Sequence, residues 1–293
     1  MLMYKEDEKK NTGRFPAIAG ALSVLLGVYF WLTLGPLFAQ IFLKFTIEDP
    51  ILKAYLVANA PFFSMALGLL LSLRFLLRTT PKAIITDKAK PDWTLMLLCG
   101  AAYFGLAVLF TLGHALVQPQ YFHPSPSTEA EILRMLPFVL IITPIQTTSE
   151  EFLMRAIPSR IFRKGRLVTK SRSILWVSLF TALLFTLPHL SNQEMLHANQ
   201  KWAVLLYYAL FGFGGTFLSL HTRGFEPSLG IHAANNLYIA LICNYTNSSL
   251  PSRSLFISTA PVGTYLDVLQ LVLGLGAVAL VLHKSKAFSP LAS

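Results

Sequence analysis

The chain has 293 residues, of which 54% are hydrophobic and 13% charged, with a mean hydropathy of +0.56. A soluble domain carries about 25% charged residues, so this composition excludes a soluble globular protein and defines a polytopic membrane protein. The net charge is +10, but the basic residues lie between apolar segments and not on a domain of their own, which argues against nucleic acid as a partner and fits positive-inside bias.

In chain order, residues 1–14 form a short charged tail, and residues 15–43 are uncharged over a length too great for a signal-peptide core, so they read as a retained anchor. A first span is expected at about 16–43, with Gly35-Pro36 kinking or breaking it. Further spans are expected at about 54–73 and 93–117, followed by a Pro-rich polar loop at 118–127. The fourth runs from near Glu129 to near Phe162, bent by Pro137, Pro144 and Pro158, and the rest fall at about 173–190, 202–221, 227–245 and 262–283. Each suffices for a hydrocarbon core about 30 Å thick. The expected fold is therefore all-α, a bundle of about eight transmembrane helices around a polar intramembrane cavity. Of the 24 Lys and Arg, nineteen fall in the tails and loops on one side and five on the other, which puts both termini in the cytoplasm. Cys99 and Cys243 both sit in apolar segments and suggest neither a disulfide framework nor a metal cluster.

The fourth span carries Glu150-Glu151-Phe152-Leu153-Met154-Arg155. Charge inside a membrane segment costs roughly 2.5–3.5 kcal/mol per residue on insertion scales, so such groups pair, face water or do chemistry. Glu151 and Arg155 are i and i+4 and form an ion pair on one face. Glu150 is rotated by about 100° from Glu151, has no local partner, and is free to act as a general base. Of the seven histidines, His123 and His197 read as loop residues, His221 and His283 as span ends, and His114 as a structural hydrogen bonder. His189 follows Pro188 at an expected Pro-kinked helix end. His232 and Asn236 are i and i+4 on one face, among small residues that let another helix approach closely. One shared cavity satisfies all these polar groups, and together they supply a base, a water positioner and oxyanion donors.

Glu150-Glu151-x-x-x-Arg155, Phe185-x-x-x-His189 and His232-x-x-x-Asn236 resemble, in order, the three motifs of the CPBP family (CAAX proteases and bacteriocin-processing enzymes, also called Abi), which includes the Ras-converting prenyl endopeptidases. The resemblance covers about 130–245 and implies an intramembrane endopeptidase. It divides the chain into 1–128 (tail and first three spans), 129–245 (CPBP-like catalytic core) and 246–293 (last span and tail). It implies Glu150 as general base, His189 as its helper in holding water, His232 and Asn236 as oxyanion stabilisers, and Glu151 with Arg155 as the structural pair. Asn235 beside Asn236 leaves a one-residue ambiguity that the i+4 spacing resolves toward Asn236.

Straight helices at about 1.5 Å per residue would place Glu150 roughly 18 Å, His189 roughly 25 Å and His232 roughly 8 Å from the cytoplasmic end, so tilts and kinks must bring them level. Glu150, His189 and His232 are also the candidate zinc ligands. A catalytic zinc takes three protein ligands and a separate base, and Glu151, the remaining carboxylate, is committed to Arg155, so no required cofactor is expected. The expected partners are membrane lipid and a membrane-associated peptide or protein substrate, with the plasma membrane as the location in a prokaryote. Two other readings are a non-catalytic immunity or partner-binding relative and a proton-coupled transporter, though the latter favours internal repeats, which are not evident.

Overall fold

The computed structural model describes residues 15–288; the tail read at 1–14 lies outside them. Among the described residues seven helices are long and apolar enough to cross a membrane. They are α1 (Ala17–Lys44), α2 (Pro50–Leu76), α3 (Trp93–Val117), α4 (Glu129–Ile161), α5 (Ser171–His189), α6 (Lys201–Thr222) and α8 (Tyr265–Lys284). The expected seventh span is α7, Glu226–Leu241, with 16 residues. At 1.5 Å per residue it is about 24 Å long, short of the hydrocarbon thickness and largely covered by its neighbours.

Local sequence explains the helix starts. Asp49 accepts hydrogen bonds from the Ile51 and Leu52 amides at the head of α2, and Asp92 accepts from Leu95 N at the head of α3. Thr128 with Glu131 and Thr264 with Asp267 form capping boxes at α4 and α8, a motif that satisfies two otherwise orphaned backbone amides. The expected break in α1 is a π turn, Phe30–Leu34, immediately before Gly35. The main irregularity in α4 is likewise a π turn, Phe152–Ala156, with Pro158 in the turn that follows. Pro137 and Pro144 lie inside its regular helix. Large apolar side chains such as Leu97, Leu109, Trp176 and Leu183 point outward, the pattern of helices bathed in hydrocarbon rather than water.

Beyond the helices, the segment read as the loop 118–127 contains β1 (Phe122–Pro124), which joins β2 (Cys243–Tyr245) and β3 (Phe256–Ser258) in the order β1-β3-β2. β1 is antiparallel and β2 parallel to β3. Arg253, between β2 and β3, fastens this region to the helix ends with a bidentate bond to Asp49 at 2.9 and 3.0 Å.

α7 is placed by two contacts. A Cβ on Gly230 would collide with the Met96 carbonyl, and one on Gly100 would meet Gly230 O at 3.0 Å. α3 and α7 therefore touch backbone to backbone, as small residues permit. At its head, Phe225 N donates to Ile85 O at 2.7 Å and the buried Glu226 accepts from Asp92 N at 3.0 Å. α7 thus begins beneath the segment 81–92. The unequal depths expected from straight, surface-to-surface helices do not apply to it.

Candidate active site

Glu150 and Glu151 occupy the last turn of regular helix in α4, directly before the π turn. π turns are rare and recur at functional sites. Glu150 is 5% exposed, while Glu151 and Arg155 are fully buried. The Glu151–Arg155 pair forms as the spacing predicts. Arg155 also donates to Ser228 Oγ at 3.2 Å and to the Phe211 carbonyl at 3.3 Å, and its guanidinium lies 4.0 Å from the Phe185 ring centroid. A planar cation with donors at its rim and an aromatic ring on its face is held in one orientation.

His232 from α7 bridges the two carboxylates. Its Nδ1 is 2.8 Å from Glu151 Oε1 and its Nε2 is 3.2 Å from Glu150 Oε2. Ser228, one helical turn earlier, donates to the other Glu151 oxygen at 2.6 Å. Glu150 does lack a partner on its own helix, but α7 supplies one. A carboxylate accepts and cannot donate, so with both glutamates ionised each nitrogen of His232 is a donor.

His189 ends α5. Its Nδ1 donates to the Phe185 carbonyl at 2.6 Å; a carbonyl only accepts, so Nε2 carries the free lone pair in the neutral ring. The ring lies between those of Phe185 and Tyr208, at centroid separations of 4.3 and 4.5 Å. Asn236 donates to Gln146 Oε1 at 3.4 Å, and Gln146 is one turn before Glu150. α4 and α7 therefore face each other through two rungs, Glu150 with His232 and Gln146 with Asn236. Both asparagines of the ambiguous pair lie in the site, and Asn235 is itself tied to Tyr103, Tyr207 and Asn236.

Glu150, His189, His232 and Asn236 all line one cavity of about 400 Å³, a size typical of small-molecule or peptide side-chain pockets. It extends to Glu194, Ser249 and Thr264 at the β1-β3-β2 end. The remaining histidines stand apart from the charged cluster. His114 is hydrogen-bonded to Gln118 at 3.0 Å, as a structural role requires, at another part of the cavity wall. Cys99 and Cys243 are buried free thiols. Sequence reasoning missed Ser228, Gln146, Tyr103 and Tyr207, and named Asn235 only as the alternative to Asn236. Ser228 and Gln146 had a readable signal, since each precedes a singled-out residue by four positions; the tyrosines had none.

Fold and site together define the class: a multi-pass α-helical membrane protein with paired carboxylates, two histidines and an asparagine around a cavity within the bundle. Residues 130–238 match the family model described as type II CAAX prenyl endopeptidase Rce1-like, so that segment is similar to this family of proteases. The chain is 27% identical over 270 residues to the uncharacterized protein YyaK of Bacillus subtilis (strain 168), covering 91% of this chain and 88% of that one. No solved structure matches.

Proposed function

We propose that the chain is an intramembrane endopeptidase that hydrolyses a membrane-associated peptide with water activated by Glu150. The observation that carries this reading is the convergence of Glu150, His189, His232 and Asn236, from three helices, on one cavity. Glu150 removes one proton from water while the bare Nε2 of His189 accepts a hydrogen bond from the O–H that the attacking oxygen keeps. The water oxygen adds to the scissile carbonyl carbon. Asn236 Nδ2 and His232 Nε2–H donate to the resulting oxyanion. The C–N bond then breaks as Glu150 returns the proton to the amine nitrogen. Glu151 and Arg155 hold His232 in place and take no part in the proton transfers.

The family's description makes a prenylated CAAX peptide the first substrate to try. Glu150→Gln is expected to lower cleavage of an internally quenched prenylated CAAX peptide by about 10²–10⁴-fold, the usual contribution of a general base, while the protein still inserts and purifies. Cleavage by the variant at the wild-type rate removes Glu150 from this role.

We propose a metal-free site. Both nitrogens of His232 find partners without a metal, in Glu150 and Glu151, and Glu151 is committed to Arg155, which would leave a zinc centre on Glu150, His189 and His232 without a separate base. Among the described residues no three His, Cys, Asp or Glu converge as a ligand set. Activity is expected to survive exhaustive chelation. One zinc per chain by elemental analysis, lost and restored together with activity, makes the metalloprotease reading correct instead.

For orientation, we propose that both termini face the cytoplasm, at the plasma membrane if the source is prokaryotic, with α7 counted as a crossing to make eight. The uneven distribution of basic residues supports this. A topology reporter fused after Ser293 is expected to read as cytoplasmic, and a periplasmic or luminal signal overturns it.

A further inference from the structure

An asparagine serves as an oxyanion donor in only one of its two amide orientations. Turned by 180°, Asn236 would present its carbonyl to a developing negative charge. Which orientation holds is set by the hydrogen bonds of the amide oxygen and nitrogen. In this site those bonds run in one direction. Tyr103 OH and Tyr207 OH both donate to Asn235 Oδ1, at 3.2 and 3.1 Å. Two phenolic donors fill that oxygen, and with the Asn235 amide reversed they would face N–H donors in place of their acceptor. Its Nδ2 then faces Asn236 and donates to Asn236 Oδ1 at 3.1 Å. With its own oxygen so occupied, Asn236 directs its NH2 toward Gln146 Oε1 and the cavity.

We propose that Tyr103, Tyr207 and Asn235 are positioning residues that fix the amide sense of Asn236 and so make it an oxyanion donor. This rests on the protease reading and adds to it a set of residues that need not touch the substrate to act. Tyr103 comes from α3, outside the segment 130–238 that matches the family model. The first spans therefore take part in building the site and are more than a lipid-facing wall. Both tyrosines are mechanically fixed. The Tyr103 ring packs edge-on against Phe211 at 6.4 Å and the Tyr207 ring stacks on Phe211 at 6.2 Å.

The test is steady-state kinetics of the purified full chain on the quenched prenylated CAAX peptide. Asn236→Ala is expected to lower kcat by about 10²–10³-fold, the usual effect of losing one oxyanion donor. Asn235→Ala is expected to reproduce most of that loss with KM nearly unchanged. Because truncating a buried amide can disturb folding, the second variant removes only two oxygens: Tyr103→Phe with Tyr207→Phe, expected to lower kcat roughly 10-fold at wild-type KM. Placed on Asn236→Ala, the same pair is expected to cost nothing further, since there is no amide left to orient; coupled residues give such non-additive cycles. Three results overturn the inference alone: an unchanged kcat in the tyrosine pair, a loss seen in KM instead of kcat, or a pair effect that adds in full to Asn236→Ala. A wild-type chain that cleaves no faster than Glu150→Gln overturns the protease reading, and this inference with it.

Discussion

Arg155 and Arg253 are both paired with carboxylates, and their surroundings differ. Arg155 lies inside the bundle at 0% exposure, bound to Glu151, Ser228 and the Phe211 carbonyl beneath the Phe185 ring. Arg253 lies at the helix ends at 9% exposure, bound to Asp49, to Ser127 at 2.9 Å and to the partly exposed Glu131 at 3.2 Å. The outer pair joins three chain segments and touches none of Glu150, His189, His232 and Asn236. The inner pair positions one oxygen of Glu151 against His232, and through it the carboxylate proposed as the base. The Coulomb attraction is similar in kind; the cost of a broken pair is not. Water can reach an unpartnered Asp49, whereas an unpartnered Glu151 stays in a low-dielectric interior.

Removing each arginine tests that difference. Arg155→Ala has the largest expected effect, a loss of about 3–5 kcal/mol from the stranded Glu151 charge. Thermal melts in detergent should show it destabilised well beyond Glu150→Gln, and a melting temperature equal to wild type would erase the distinction between the two pairs. Arg253→Ala is expected to cost less, about 1.5–3 kcal/mol, the range for hydrogen bonds to charged groups. A loss matching that of Arg155→Ala would show the outer clamp to be as dry as the inner one. The smallest effect is on pH dependence. The Arg253 hydrogen bond holds the Asp49 carboxyl below its ordinary value of 3.8. A depressed folded-state value adds stability above the unfolded pKa and loses it as pH falls through the folded one. The wild-type melting temperature should therefore drop below about pH 4, and Arg253→Ala should flatten that drop. An identical acid slope in both proteins would remove Asp49 as its source.

Much of the site was legible in the sequence because helical spacing fixes which residues share a face of their own helix. Glu151 with Arg155 and His232 with Asn236 follow from i, i+4 alone, and Glu150, His189 and His232 are conspicuous as polar groups in apolar spans. Spacing does not say which other helix a face meets. That His232 sits between both glutamates depends on α7 facing α4, and the placement of α7 depends on Gly230 meeting Gly100 across 130 positions of sequence. Tyr103 and Tyr207 look like any other aromatic residues of apolar helices until Asn235 is seen against them. The small sheet was not legible either, since three-residue strands give no usable alternation and β2 pairs with β3 in parallel across a loop. The spans themselves were predicted within a few residues, the seventh included, but a composition-based reading cannot see that this helix begins against the segment 81–92 and gives way to β2 at Cys243.

The π turn in α4 has a consequence for how that helix is meshed with the rest of the molecule. A residue added to one turn puts the two stretches on either side out of phase, like two gears on one shaft set at different angles. The upstream gear, Gln146 and Glu150, engages α7. The downstream one, Arg160, engages the Ile84 carbonyl at 3.0 Å and Asp87 at 2.5 Å. The slip is taken up in Phe152–Ala156, five residues that are all buried. Neither gear can be re-timed alone: any change in the tooth count between them would turn Gln146 and Glu150 away from α7 or pull Arg160 off Ile84 and Asp87.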